Sequence, residues 1–265
     1  MDTKSVTTPV TTAVTTGVES VDRHISSVAN RNWLLDALTV SSGAADAVSF
    51  LAMGKVFTAF MTGNIAFLGM AIAGQTGPIY GVVPPSIVSL LAALVGFALG
   101  VYIATWIVTP SRQPEAHEGK QPAVVWPQRT TVALGVSLVP HLCFGLLWFA
   151  VSGRPDGSYV PILLAVWAVA MGMQSAAVRN LKVEGIFTTA ATATYISLAG
   201  GLTNISMTGE MRARMRGIVI SLFIGATVGA ALLIHAPMYA PVLPLVVTAY
   251  VVATAARSFS NRNEA

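Results

Sequence analysis

Charge is what this sequence has least of. Only 10% of its 265 residues are charged and 54% are hydrophobic, whereas soluble domains carry roughly 25% charged residues. With a mean hydropathy of +0.69, too few charges remain to clothe a water-facing surface, so lipid must cover much of it. The fold class expected is an all-α, polytopic integral membrane helix bundle. Cysteine is almost missing as well. Cys143, inside the apolar run VSLVPHLCFGLLWF, cannot form an internal disulfide and reads as packing. There is no nucleophile elbow, Walker loop, Rossmann glycine pattern, paired-Cys motif or His/Asp/Glu cluster with ligand spacing. These absences argue against an enzyme and an ATP-driven machine, and no cofactor or metal is expected. Met1 is followed by Asp2, Thr3, Lys4 and a Thr-rich tract rather than by a basic-then-apolar leader, so insertion is expected to rely on the first membrane helix.

What charge there is leans basic, with a net +4 and a pI near 9.5. These residues sit mostly in tails and loops, as the positive-inside bias requires, so no nucleic-acid partner is expected. Residues 1–30 read as a disordered, Thr-rich cytoplasmic tail. A first membrane half follows over 33–151, with apolar segments at about 33–53, 56–74, 86–108 and 130–151 and a Pro-rich polar loop at 109–128. The second half, 158–257, carries segments at about 159–178, 186–202, 218–235 and 241–256, and residues 258–265 form a short cytoplasmic tail. If all eight segments cross, Lys55, Arg112, Lys120, Arg129, Arg179 and Lys182 lie outside and the other nine basic residues inside (15 − 6 = 9). That is a weak bias toward both termini lying in the cytoplasm of a bacterial cell, with the chain in its inner membrane.

The halves look related. Gly43 and Gly172 share an offset of 129 (172 − 43), as do Gly96 and Gly100 with Gly225 and Gly229. Phe57, Thr58 and Thr62 match Phe187, Thr188 and Thr192 at 130 (188 − 58). A shared offset across three segments suggests duplication. Four crossings per unit would make the halves parallel; one re-entrant segment in each would invert them.

The candidate chemistry sits in GAADAVSFLAMGKVFTAFMTGN, residues 43–64, and in the weaker copy at 172–194. A carboxylate in a span costs a few kcal/mol and usually faces protein, a partner or water. Asp46 therefore reads as a proton or cation site or a substrate contact, or else as a structural hydrogen-bonding group. Asp36, nearer the interface, reads as wet. Thr58 and Thr62, at i and i+4, would share one helix face ahead of Asn64, and Thr188 and Thr192 repeat the spacing. Such a stripe either lines a pathway or ties helices together. Gln174 joins these as a pathway candidate. His141 and His235 read as packing or interface residues, and Arg179 and Lys182 as snorkelling ones. The GxxxG patterns Gly96–Gly100 and Gly225–Gly229 would pack the halves, or two protomers, closely together.

The run Gly-x-x-Asp-Ala ending in Phe-Thr-x-x-x-Thr-Gly-Asn, together with GMQSAAVRNLKVEGIFTTAATAT, resembles the YoaK-type family of bacterial membrane proteins over about residues 38–256. In the second block Ala193 stands where the family has Gly. That family is of unknown function, so the resemblance implies a multi-pass inner-membrane fold and no reaction, with Asp46, Thr62 and Asn64 as motif positions. Two functions remain in view: a secondary transporter or channel-like carrier of a small solute, proton-coupled through Asp46, or a non-transporting scaffold or sensor.

Overall fold

A computed structural model of the chain describes residues 9–76, 83–109, 125–181 and 209–259. The expected segment 186–202, with Thr188 and Thr192, and most of the polar loop lie outside the described residues. Seven α-helices are present among the described residues: α1 Pro9–Ala52, α2 Met61–Ala73, α3 Ile87–Val108, α4 Gln128–Ala150, α5 Val160–Arg179, α6 Gly209–His235 and α7 Val242–Phe259. α1 takes in most of the stretch read as a disordered tail. Adding residues to an existing helix avoids the costly nucleation step, so a polar lead-in can extend an apolar span.

Among the described residues six helices are long and apolar enough to cross a membrane, and α2 is the exception. Its 13 residues rise about 20 Å, short of the roughly 30 Å of hydrocarbon. The expected continuous helix over 56–74 is thus replaced by a non-helical stretch, 53–60, and a short helix.

Side-chain contacts give the helix directions. Phe144 of α4 stacks on Trp167 of α5, and Trp126 before α4 stacks on Phe259 at the end of α7. Leu34, Leu35 and Leu38 of α1 share one buried cluster with Met173, Ala176 and Ala177 of α5, whereas Ala45 and Val48 share another with Leu163, Leu164 and Trp167. α1 and α5 therefore run antiparallel. The first cluster fills the end of the bundle that holds the start of α1 and the ends of α3, α5 and α7. The second fills the opposite end.

Because α2 does not cross, α3, α4 and α5 run opposite to their direction in an eight-span count, whereas α6, parallel to α1, and α7 keep theirs. Arg129 and Arg179, expected opposite Arg257, lie at the same end as it, and Arg154, expected on the side of Arg257, lies at the end of Lys55. Cysteines placed at Lys55 and at Arg179 in a Cys143→Ser background should accordingly label from opposite sides of sealed vesicles with an impermeant maleimide. Labelling from one side would overturn this topology.

Two helix pairs make the tightest crossings, and each runs parallel. A Cβ added at Gly96 or Gly100 would strike the backbone carbonyls of Ala165 and Val169 on α5, and one at Gly172 that of Phe97 on α3. Likewise Gly225 and Gly229 of α6 lie on Val40 and Ala44 of α1, and Gly43 lies on Leu222. Both GxxxG patterns are consumed inside the chain, joining early helices to late ones, and are not left free to join two protomers.

Candidate functional site

α1 ends in a turn of its own making. Gly54 (φ 77°) and Lys55 (φ 62°) both take left-handed conformations, and the Lys55 N–H donates to the Phe50 carbonyl at 3.0 Å, the six-to-one bond that closes a helix C-terminus. The chain then doubles back, so that Phe57 stacks on Phe50 with centroids 4.9 Å apart. Phe60 meets Phe57 edge-on at 5.4 Å.

An unwound stretch inside a membrane protein has backbone groups that its own helix cannot satisfy. Here the motif side chains satisfy them. Asp46 Oδ1 accepts from the backbone N–H of Thr58 at 2.8 Å and of Ala59 at 2.7 Å, and lies 3.4 Å from the Thr58 hydroxyl that donates to it. Asn64 accepts from the Phe57 N–H at 2.9 Å and donates to the Phe57 carbonyl at 2.7 Å, as a second peptide would. Asn64 and Thr58 are both fully buried. Asp46, Thr58 and Asn64 thus form one network holding the break open.

Thr62 does not join it. It stands exposed in the first turn of α2 while Thr58 lies in the loop, so the expected shared helix face does not exist. The reason is the break itself: i and i+4 are neighbours only while the intervening residues stay helical. Replacing Asn64 by Leu, similar in size, should cost about 2–4 kcal/mol, since two buried backbone groups lose their partners. Thermal unfolding in detergent checks this. An unchanged midpoint would mean that the bonds to Phe57 add nothing.

Below the break lies a layer that spacing alone did not reveal. Between the two apolar clusters sit Ser41 and Ser42 of α1, Ser137 and His141 of α4 and Thr248 of α7, with Gln174 of α5 at the margin of the first cluster, each no more than 2% exposed. Ser41 donates to the Pro244 carbonyl at 3.3 Å and lies 3.4 Å from the Thr248 hydroxyl. Gln174 Nε2 donates to the Leu38 carbonyl at 3.0 Å. His141 Nδ1 is 2.9 Å from the Ser137 carbonyl, an acceptor only, which assigns the proton to Nδ1 and leaves Nε2 an acceptor. His141 Nε2, Gln174 Oε1 and the Ser42 hydroxyl are buried without a hydrogen-bond partner among the described residues.

Gln174 is thus the one predicted residue of the second half that the described structure places in this belt. The expectation that His141 merely packs missed its open nitrogen. The signal in the sequence was depth: each of these residues except Gln174, which lies near the end of α5, falls near the middle of its apolar segment. Asp46 stands one turn above Ser42 on α1, and two turns, or about 12 Å, above the Leu38 carbonyl that holds Gln174.

Six spanning helices around a buried polar layer, with one helix broken at a carboxylate, define a polytopic membrane protein of the all-helical class. The chain belongs to the family described as "Protein of unknown function (DUF1275)", whose model matches residues 34–254. It is similar to the UPF0700 transmembrane protein YoaK of Bacillus subtilis (strain 168), with 34% identity over 174 residues, 66% of this chain and 68% of that protein. No solved structure matches.

Proposed function

We propose that the protein is a non-enzymatic secondary transporter or channel-like carrier of a small polar solute, whose path runs through the mid-depth polar belt and past the break at Asp46. One observation carries the reading: three buried polar atoms, His141 Nε2, Gln174 Oε1 and Ser42 Oγ, stand unpaired among the described residues. Each unsatisfied group costs about 1–3 kcal/mol, a cost that water or a passing solute relieves.

The arrangement of the helices supports two related halves of inverted topology, a common plan among carriers that bind near the bilayer midplane. α1 and its counterpart α5 run antiparallel, and Gly225 sits on Val40 as Gly100 sits on Val169. The offset is 129 on one helix (169 − 40) and 125 on the other (225 − 100). The packing match is therefore four residues, one turn, out of step with the sequence match of the glycine pairs. A GxxxG pattern tolerates that slide because the glycine recurs after one turn. The end of the bundle holding Arg31, Arg129, Arg179, Arg212, Arg214, Arg216 and Arg257 faces only Lys55 and Arg154 across the bilayer among the described residues. The positive-inside rule then favours both termini in the cytoplasm, with the chain in the inner membrane.

The test is solid-supported-membrane current and uptake in proteoliposomes challenged with metabolite pools. A saturable signal is expected that Gln174→Leu abolishes with stability changed by no more than about 1 kcal/mol, because that change also removes an unpaired acceptor. Asp46→Asn should uncouple a proton gradient from uptake. A well-folded wild type without any signal would overturn the reading in favour of a non-transporting scaffold, and full activity in Gln174→Leu would overturn a path through the belt.

A further inference from the structure

Asp36 belongs neither to the break nor to the belt. It lies in α1 at the level of the cluster around Leu34, Leu35 and Leu38, far enough into the span that water cannot be assumed. Among the described residues no hydrogen bond or ion pair reaches it. Its two carboxylate oxygens lie against Gly217 of α6, each 3.1 Å from where a Cβ would stand. An unpaired carboxylate within a membrane helix marks a functional site unless a partner explains it.

The carboxylate lines a cleft of about 390 Å³ between α1, α6 and α7, within the range of about 300–1,000 Å³ of small-molecule sites. Val40, Val246 and Val247 make its walls apolar, and the remaining polar groups are the Ser221 and Tyr250 hydroxyls and the Trp33 indole N–H. Trp33 and Tyr250 also line it, ring centroids 5.4 Å apart and edge to face. Both are about half exposed, at 53% and 52%, so their ring surfaces are open to an occupant.

These features select one ligand chemistry. A negative group in an apolar cleft repels anions and is wasted on a neutral solute. A hard metal cation wants about six to eight oxygen ligands, which one carboxylate and two hydroxyls do not supply. Aromatic faces beside a carboxylate attract ammonium groups through the ring quadrupole. We infer that the Asp36 cleft binds a monovalent organic cation, an amine or quaternary ammonium on an apolar body, with Asp36 as counter-ion and Trp33 and Tyr250 as its aromatic walls. The site stands independently of transport through the belt.

Radiolabelled tetraphenylphosphonium, measured by scintillation proximity on the full chain in detergent, is the probe. Saturable binding is expected that Asp36→Asn weakens about tenfold or more, that Trp33→Leu or Tyr250→Leu weakens about threefold, and that Gly145→Ala, on α4 away from the cleft, leaves unchanged. The anion of the same shape, tetraphenylborate, should not compete. If Asp36→Asn fails to fold, the aromatic variants and this charge-reversed competitor decide the matter. Repeating the assay in nanodiscs separates the natural source of the cation. Displacement of the probe by phosphatidylethanolamine identifies a lipid amine, and no displacement identifies a free one. Absence of saturable binding, equal affinity in Asp36→Asn, or competition by tetraphenylborate would each overturn the assignment.

Discussion

Gly225→Ala should destabilise the protein by about 3 kcal/mol, while Gly145→Ala, the same change on α4, should stabilise it by about 0.5–1 kcal/mol. At Gly225 the new methyl would be driven into the backbone of Val40, with both its carbonyl and its Cα inside contact distance. A flexible side chain could swing aside, but a helix backbone cannot, so α6 and α1 must separate along their crossing. At Gly145 no atom lies within 4 Å of the added methyl, and the change only removes conformational freedom from the unfolded chain. Thermal unfolding of the two variants beside the wild type reads both signs at once. Equal shifts would mean that the α1–α6 crossing is not as close as the structure has it.

The second large effect is at Asp46, where two substitutions should part company. Asp46→Ala removes the acceptor shared by the N–H groups of Thr58 and Ala59. Leaving two donors unpaired in the break costs about 1–3 kcal/mol each. Asp46→Asn keeps an oxygen at the same place and should cost less than about 1 kcal/mol. Hydrogen exchange over residues 53–60 is the direct measurement: fast exchange is expected in the Ala variant and near-native protection in the Asn variant. If both variants exchange alike, Asp46 is not the group that holds the break, and any loss of transport in Asp46→Asn could not be assigned to proton coupling alone.

The contrast between these sites shows how the sequence encodes each. Gly225 announced itself through its partner Gly229 four residues on, because close helix approach needs a repeated absence of side chain. Its actual partner, Val40, carries no such mark, since any residue offers a backbone carbonyl. Asp46 and Asn64 stood out because polar groups are costly in a span. The reason they are tolerated, the backbone of residues 57–59, was invisible because the break interrupts the very periodicity used to read that segment. Apolar content over 56–74 predicted a crossing helix, and the hydrogen bonds of Asp46 and Asn64 outweighed it.

Composition, apolar length and the placement of charges determined on their own that this chain is a helical membrane protein, where six of its spans fall, and which short block is unusual. Each of those is a local property, fixed by the cost of bringing charge or backbone into lipid. Only the tertiary structure decided that α2 stops short, that the start of the α1 span and the end of α7 share a face with Arg129 and Arg179, and that Ser42, His141 and Gln174 are buried with unpaired polar atoms. Those outcomes depend on which backbone groups find partners across helices, a matter of distances between residues up to two hundred positions apart. No window on the chain contains them.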